Sequence, residues 1–300
     1  GVHHFIDMTA PVEEAHDVIY KLVSAIVMPA VSVEGTLITL LGARAGVGTT
    51  TLAVHLSDIL QQRKSVQHKD YQIGLLDLGL PACDGQLYLN VTGTFNFIDT
   101  VRNRHRLDRT LIQTALASSH TGIKVISLPR ILKEMADVSS AEVLSLLTQL
   151  RLYFDVLIMD LGGFSDMALV EDLVNASDQT LLVTDQSSGS LVSLSTMLKE
   201  CDKHSGDASR LQLVVNRYDI RYGMSAQQIA ERFSLPLAAV VPESTLRLMS
   251  SANQGKLLHE IAKHDPYVRA VHDLAEKLLN PHADKHASKL SSWVPSFLKP

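Results

Sequence analysis

The sequence predicts an α/β fold: a doubly wound, mostly parallel sheet with helices on both faces. Three observations carry this. From residue 36 onward, apolar β-branched and leucine runs alternate with segments of helical periodicity. The first run, Leu37 to Leu41, leads through a glycine-bearing loop directly into a helical stretch opened by Thr49-Thr50-Thr51 and carried by Ala53, Leu56 and Leu60. Later runs end at a polar or acidic residue, Asp77, Asp160 and Asn216, the place where ligands bind in open α/β sheets.

The elements follow in order. Strands are expected over 37–41, 73–78, 122–128, 154–160, 178–184, 210–215 and 237–241. Runs such as Val156-Leu157-Ile158-Met159 are apolar without alternation, so both faces of the sheet are to be covered. Helices are expected at about 50–62, 96–103, 108–117, 139–152, 167–176, 188–204, 225–233, 244–253 and 257–279. Ahead of them, Val12, Ala15, Val18, Ile19, Leu22 and Ile26 form one stripe of a lead-in helix from Pro11 to Met28, ended by Pro29. The expected organisation is a lead-in helix and linker over 1–35, the main domain over 36–280 and a flexible tail over 281–300. In that tail Leu290, Trp293, Val294, Phe297 and Leu298 keep helical spacing, but Pro295 interrupts them. A disordered tail or a partner-docking peptide is favoured over a membrane helix.

Composition narrows the classes. With 46% hydrophobic and 20% charged residues the chain is globular, and a net charge of −5 argues against a broad nucleic-acid-binding surface. Cys83 and Cys201 lie far apart and outside any C-x-x-C, which offers no zinc site and no disulfide framework and suits a reducing cytosol. No apolar run reaches transmembrane length.

The loop reads Gly42-Ala43-Arg44-Ala45-Gly46-Val47-Gly48-Thr49-Thr50. It has the layout of a P-loop, G-x-x-x-x-G-K-[ST], whose backbone amides and helix N-terminus cradle phosphates. Counted from Gly42 the spacing is one residue long, and counted from Ala43 it is right but lacks the first glycine. Thr49 stands at the lysine position. A threonine brings no charge, and losing a charge-assisted contact costs about 1.5–3 kcal/mol of binding. Arg44, Ala45, Gly46, Val47, Gly48, Thr49, Thr50 and Thr51 are the candidate phosphate-binding residues. Thr50 is the natural hydroxyl ligand of Mg²⁺, and Asp160, closing an apolar strand, matches the acid that holds Mg²⁺ directly or through water. Gly162 can present an amide to the terminal phosphate, and Asp77 is the candidate to orient water or magnesium. Asn216 has an amide suited to a purine edge. A Rossmann dinucleotide site is excluded by the absent third glycine after Gly48.

These residues, with Asp84-Gly85-Gln86-Leu87-Tyr88-Leu89, Phe154 to Leu161, Val214-Val215-Asn216-Arg217-Tyr218, Val240-Val241-Pro242-Glu243 and Ala252-Asn253-Gln254-Gly255-Lys256, resemble the deviant-Walker ParA/MinD superfamily. Within it they are most similar to the TadZ/CpaE branch of Tad (Flp, type IVb) pilus assembly proteins. The resemblance spans roughly residues 36–279. It implies ATP or ADP with Mg²⁺ held between two protomers of a homodimer, with Asn216, Arg217, Pro242 and Glu243 flanking the base. It implies a cytoplasmic protein at the inner-membrane face or a cell pole, with pilus assembly and secretion proteins as partners and only indirect membrane contact. The family's signature lysine is Arg44 here, its P-loop lysine is Thr49, and the second acid of its Asp-x-Asp pattern is Gly79. Three changes on the catalytic apparatus imply weak or absent hydrolysis. The branch commonly carries a receiver-like domain upstream, which is expected to precede Gly1. The alternatives are an active ParA/MinD-type ATPase positioning DNA or protein, and a nucleotide-free scaffold.

Overall fold

The computed structural model describes residues 34–279, except 68–70, 132, 134, 136–137, 165 and 202–209. The chain divides at Glu34/Gly35. The expected lead-in helix and C-terminal tail fall outside the described residues.

Eight strands form one sheet in the order β3-β4-β2-β5-β1-β6-β7-β8. They are β1 Thr36–Gly42, β2 Ile73–Asp77, β3 Ala117–Ser118, β4 Lys124–Ser127, β5 Val156–Leu161, β6 Gln179–Thr184, β7 Leu211–Tyr218 and β8 Leu237–Pro242. All neighbours run parallel except β3, which pairs antiparallel with β4. The principal helices are α1 Thr49–Gln67, α2 Asp84–Tyr88, α3 Phe97–Arg102, α4 Arg109–Ala115, α5 Ser140–Leu150, α6 Met167–Ala176, α7 Ser188–Cys201, α8 Ala226–Phe233, α9 Thr245–Ala252, α10 Leu258–Ile261 and α11 Pro266–Leu279. This is the doubly wound α/β architecture that the alternating pattern predicts.

The strand residues alternate between two cores because successive side chains leave a strand on opposite faces. Ile38, Leu40, Ile158 and Val214 pack with Leu52, Leu56 and Leu60 of α1 and with Tyr267, Val271 and Leu274 of α11. Leu37, Leu41, Leu157, Met159 and Val215 pack on the other side with Val143, Leu146 and Leu150 of α5, Val170 and Leu173 of α6, and Ile229 of α8. With β1 central and covered on both sides, Leu37 and Leu40 are fully buried.

Three local expectations are corrected. The helix expected over 108–117 stops at Ala115, and Ala117 joins a short antiparallel strand against Val125. The helix expected over 257–279 is two helices, because Pro266 cannot donate a backbone hydrogen bond and starts a fresh first turn. A short helix, α2, occupies the connection after β2, where none is expected.

Candidate functional site

The site lies at the carboxyl edge of β1, β2, β5 and β7. β1 ends at Gly42 and α1 begins at Thr49, so residues 43–48 form the whole connection. Gly46 and Gly48 have φ of 88° and 91°, the left-handed region in which a Cβ is strained. A Cβ on Gly48 would also fall 2.6 Å from Asn216 Nδ2. That nitrogen donates to the Val47 carbonyl at 2.8 Å, so β7 pins the loop from the side. β7 shifts register against β8 between Val215 and Tyr218, and Arg217 has φ of 50°. The extra residue turns Asn216 under the loop and Arg217 toward the neighbouring cleft.

Thr49 is buried, and a Cβ on Gly42 would fall 2.4 Å from its hydroxyl oxygen. The hydroxyl is therefore folded back on the end of β1. Thr50 faces the other way: its hydroxyl donates to Asp160 Oδ2 at 2.5 Å. The Gly162 amide donates to Asp160 Oδ1 at 3.0 Å. Asp160 is 1% exposed, and burial pushes its pKa up to about 7. The Thr50 and Gly162 hydrogen bonds oppose the rise and the charges of Asp77 and Asp84 add to it. None of these influences is a cation.

Asp77 pairs in register with Asp160 on the adjacent strand. Burial raises its pKa, while Ser127, donating to Oδ2 at 2.7 Å, and the amides of Gly85 and Gln86 hold it back. Asp77 Oδ1 has no hydrogen bond of good geometry among the described residues. Gly79 closes the site: a Cβ there would fall 2.5 Å from Asp160 Oδ2 and 2.9 Å from Thr50 Oγ1. Leu78 and Leu80 donate to the carbonyls of Asp160 and Gly162, so the two strand-end segments run together around it.

The Thr50 hydroxyl and the Asp160 carboxylate are hard oxygen donors side by side at a helix N-terminus. No cluster of three or more His, Cys, Asp or Glu able to hold a metal exists among the described residues. This donor set fits Mg²⁺, which is held through one or two carboxylates together with substrate phosphates and water rather than by a protein cage.

A cleft of about 320 Å³ opens beside the start of α1. It brings together Gly48, Thr51, Asn216, Arg217 and Pro242 from the residues expected to bind nucleotide. Glu243 is turned away from it: its carboxylate accepts from the Thr245 amide at the start of α9. On the opposite side of the loop, Ala45 and Gly163 line an open cavity. Arg44 is exposed and lies over Gly189 in the first turn of α7, where a Cβ would collide with its guanidinium. Val47 is buried under the loop.

The sequence gives no sign that His55, Tyr88 and Tyr267 line the cleft. His55 sits one turn after Thr51 on α1, bonds the Thr51 carbonyl at 2.8 Å through Nδ1 and accepts the Leu258 amide at 3.1 Å through Nε2. Burial lowers its pKa to about 4, so the ring is neutral and carries its proton on Nδ1. Lys256, quoted above within a family-like segment, also lines the cleft.

A glycine loop at a helix N-terminus, with a threonine hydroxyl on a strand-end carboxylate at the switch point of a parallel sheet, defines a P-loop architecture. Solved structures carry the same fold. The chain is similar to a ParA family ATPase from Chlorobium tepidum at 21% identity, over 80% of this chain and 98% of that one, with a TM-score of 0.71. It is similar to a chain of the MinC:MinD cell division protein complex of Aquifex aeolicus at 18% identity, over 82% of this chain and 96% of that one, with a TM-score of 0.66. It is also similar to the septum site-determining protein MinD complexed with Mg-ADP from Pyrococcus horikoshii at 15% identity, over 84% and 98%, with a TM-score of 0.66. The fold is thus that of the ParA/MinD ATPases. No protein-family model and no curated protein sequence matches the chain.

Proposed function

We propose that this protein is an ATP-binding, weakly hydrolysing or non-hydrolysing localisation and assembly factor for Tad (Flp, type IVb) pilus machinery. In this reading it acts as a nucleotide-dependent homodimer at a cell pole or envelope site. The observation that carries it is the contrast between Thr50 and Thr49. Thr50 is held on Asp160, ready for Mg²⁺, while the neighbouring lysine position is filled by a buried, uncharged Thr49. Binding elements are present where the cation that stabilises charge on a transferring phosphoryl group is missing. The similar MinD structure with Mg-ADP supports the choice of ligand. The pilus assignment rests on the Asp-Gly-x-Leu-Tyr-Leu and Val-Val-Asn-Arg-Tyr segments, Asp84 to Leu89 and Val214 to Tyr218. No helix among the described residues is long and apolar enough to cross a membrane; in this reading protein partners hold the chain at the envelope site.

In this reading Gly46 to Thr51 bind the phosphates through backbone amides and the helix N-terminus. Thr50 and Asp160 hold the magnesium, which supplies charge neutralisation on the phosphates. Asn216, Arg217 and Pro242 flank the base. Titration with Mg²⁺ and ATP by calorimetry, with sedimentation of the same samples, tests it. Micromolar binding with dimerisation and negligible phosphate release is expected. Asp160→Ala should weaken the Mg²⁺-dependent part of that binding about tenfold or more. Rapid turnover stimulated by DNA, lipid or a protein would move the chain to the active positioning ATPases, and silence in both measurements would leave a scaffold.

A further inference from the structure

The cleft and the two carboxylates give the site a direction. The base cleft adjoins Gly48 and Thr51 at one end of the loop. The Thr50–Asp160 pair lies at its middle. Ala45 and Gly163 lie at the far end, where a Cβ on Gly163 would come 3.5 Å from that of Ala45. A nucleotide with its base in the cleft and its magnesium at Thr50 therefore directs its terminal phosphate toward Ala45 and Gly163. Among the described residues lining that end there is no lysine. Thr49 is uncharged, Arg44 lies over Gly189, and Arg217 and Lys256 line the base cleft.

One cation does border it. Arg130 follows β4, the strand beside β2, and lines the same open cavity of about 590 Å³ as Ala45 and Gly163. It is exposed and makes no hydrogen bond or ion pair with a described residue. Its charge reaches inward: burial raises the pKa of the Cys83 thiol, the charges of Asp77 and Asp84 add to the rise, and the Arg130 guanidinium opposes it. An unpaired guanidinium thus stands at the rim of a cavity otherwise lined by Ala45, Leu80, Pro81, Ala82 and Gly163, on the side where the loop has lost its own cation.

We propose that Arg130 is a binding residue for the terminal phosphate of a magnesium-bound nucleoside triphosphate, replacing from the segment after β4 the charge that Thr49 does not provide. A planar guanidinium fits two phosphate oxygens at once but cannot follow a small charge shift as a flexible ammonium does. Arg130 therefore sets preference for triphosphate over diphosphate. The inference rests on the nucleotide reading above.

The test is titration of the full chain with Mg²⁺ and either ADP or a non-hydrolysable ATP analogue, for the wild type, Arg130→Ala and Arg130→Lys. Arg130→Ala should lower affinity for the triphosphate about tenfold or more and leave that for ADP within twofold. Arg130→Lys should recover part of the loss. Equal loss for both nucleotides, or no loss for either, overturns the role of Arg130 while leaving the nucleotide site intact. If the wild type binds neither nucleotide, the nucleotide reading itself is overturned, and Arg130 with it. Because Arg130 is exposed and unbonded, the melting temperatures of both variants should match the wild type. A fall in melting temperature that tracks the affinity loss would assign the residue a structural role instead.

Discussion

Gly79 has no room for a side chain, since a Cβ there meets both Asp160 and Thr50. Read as sequence, the position is only the loss of a carboxylate from a strand-end pattern; in the structure it is the wall that leaves the magnesium donors free to meet. Gly79→Ala should push Thr50 off Asp160, lower stability by about 1–3 kcal/mol as overpacking does, and reduce Mg²⁺-dependent nucleotide affinity in calorimetry. Unchanged affinity would show that the Thr50–Asp160 contact is dispensable. The same crowding argues that Gly79→Asp alone does not restore hydrolysis. Thr49 and Thr50 are alike in sequence, yet one hydroxyl turns to Gly42 and the other to Asp160. Helix geometry separates them, because adjacent residues on a helix point about 100° apart.

At the scale of elements, α1 is joined to α10 by a polar seam within an apolar core. His259 Nε2 lies 2.8 Å from Asp58 Oδ2, and Thr121 and Gln62 donate to the same carboxylate. Burial raises the Asp58 pKa, but these hydrogen bonds outweigh it and the carboxyl stays below its usual range. His55, one turn earlier, is neutral with a pKa near 4. Its folded value lies below the unfolded value near 6.5, so between these values only the unfolded chain takes up the proton. Stability is thus lost as pH falls through that window, by about 2 kcal/mol from pH 7 to pH 5. His272 shifts in the same direction, so the readout is a difference: His55→Gln should flatten the pH dependence of the melting temperature relative to the wild type. An identical slope would remove His55 from the account. The sheet, the loop and the acid at the end of β5 were legible because apolar runs and glycine spacing act locally. The bulge at Asn216–Arg217 and the His55 seam were not. Each is fixed by contacts between residues far apart in the chain, such as Leu258 with His55, or by a register shift that leaves the hydropathy pattern unchanged.

For the whole molecule, the nucleotide reading places the active edge outward. Arg44 stands exposed at that edge, with no bond to a described residue. Arg44→Glu should abolish ATP-dependent dimerisation in sedimentation while the monomer still binds nucleotide; dimers that persist would assign the contact elsewhere. The other borders of the sheet behave differently. On β8, the last strand, the Ala238 carbonyl accepts from Lys277 of α11 at 2.9 Å, and α11 packs along that strand. At the opposite border β3 contributes two residues only, and Ile126 and Ser127 of β4 beyond it are buried. An incoming extended peptide meets a two-residue border at β3 and, at β8, a border where the Ala238 carbonyl is already taken. Both borders thereby hinder strand-by-strand polymerisation.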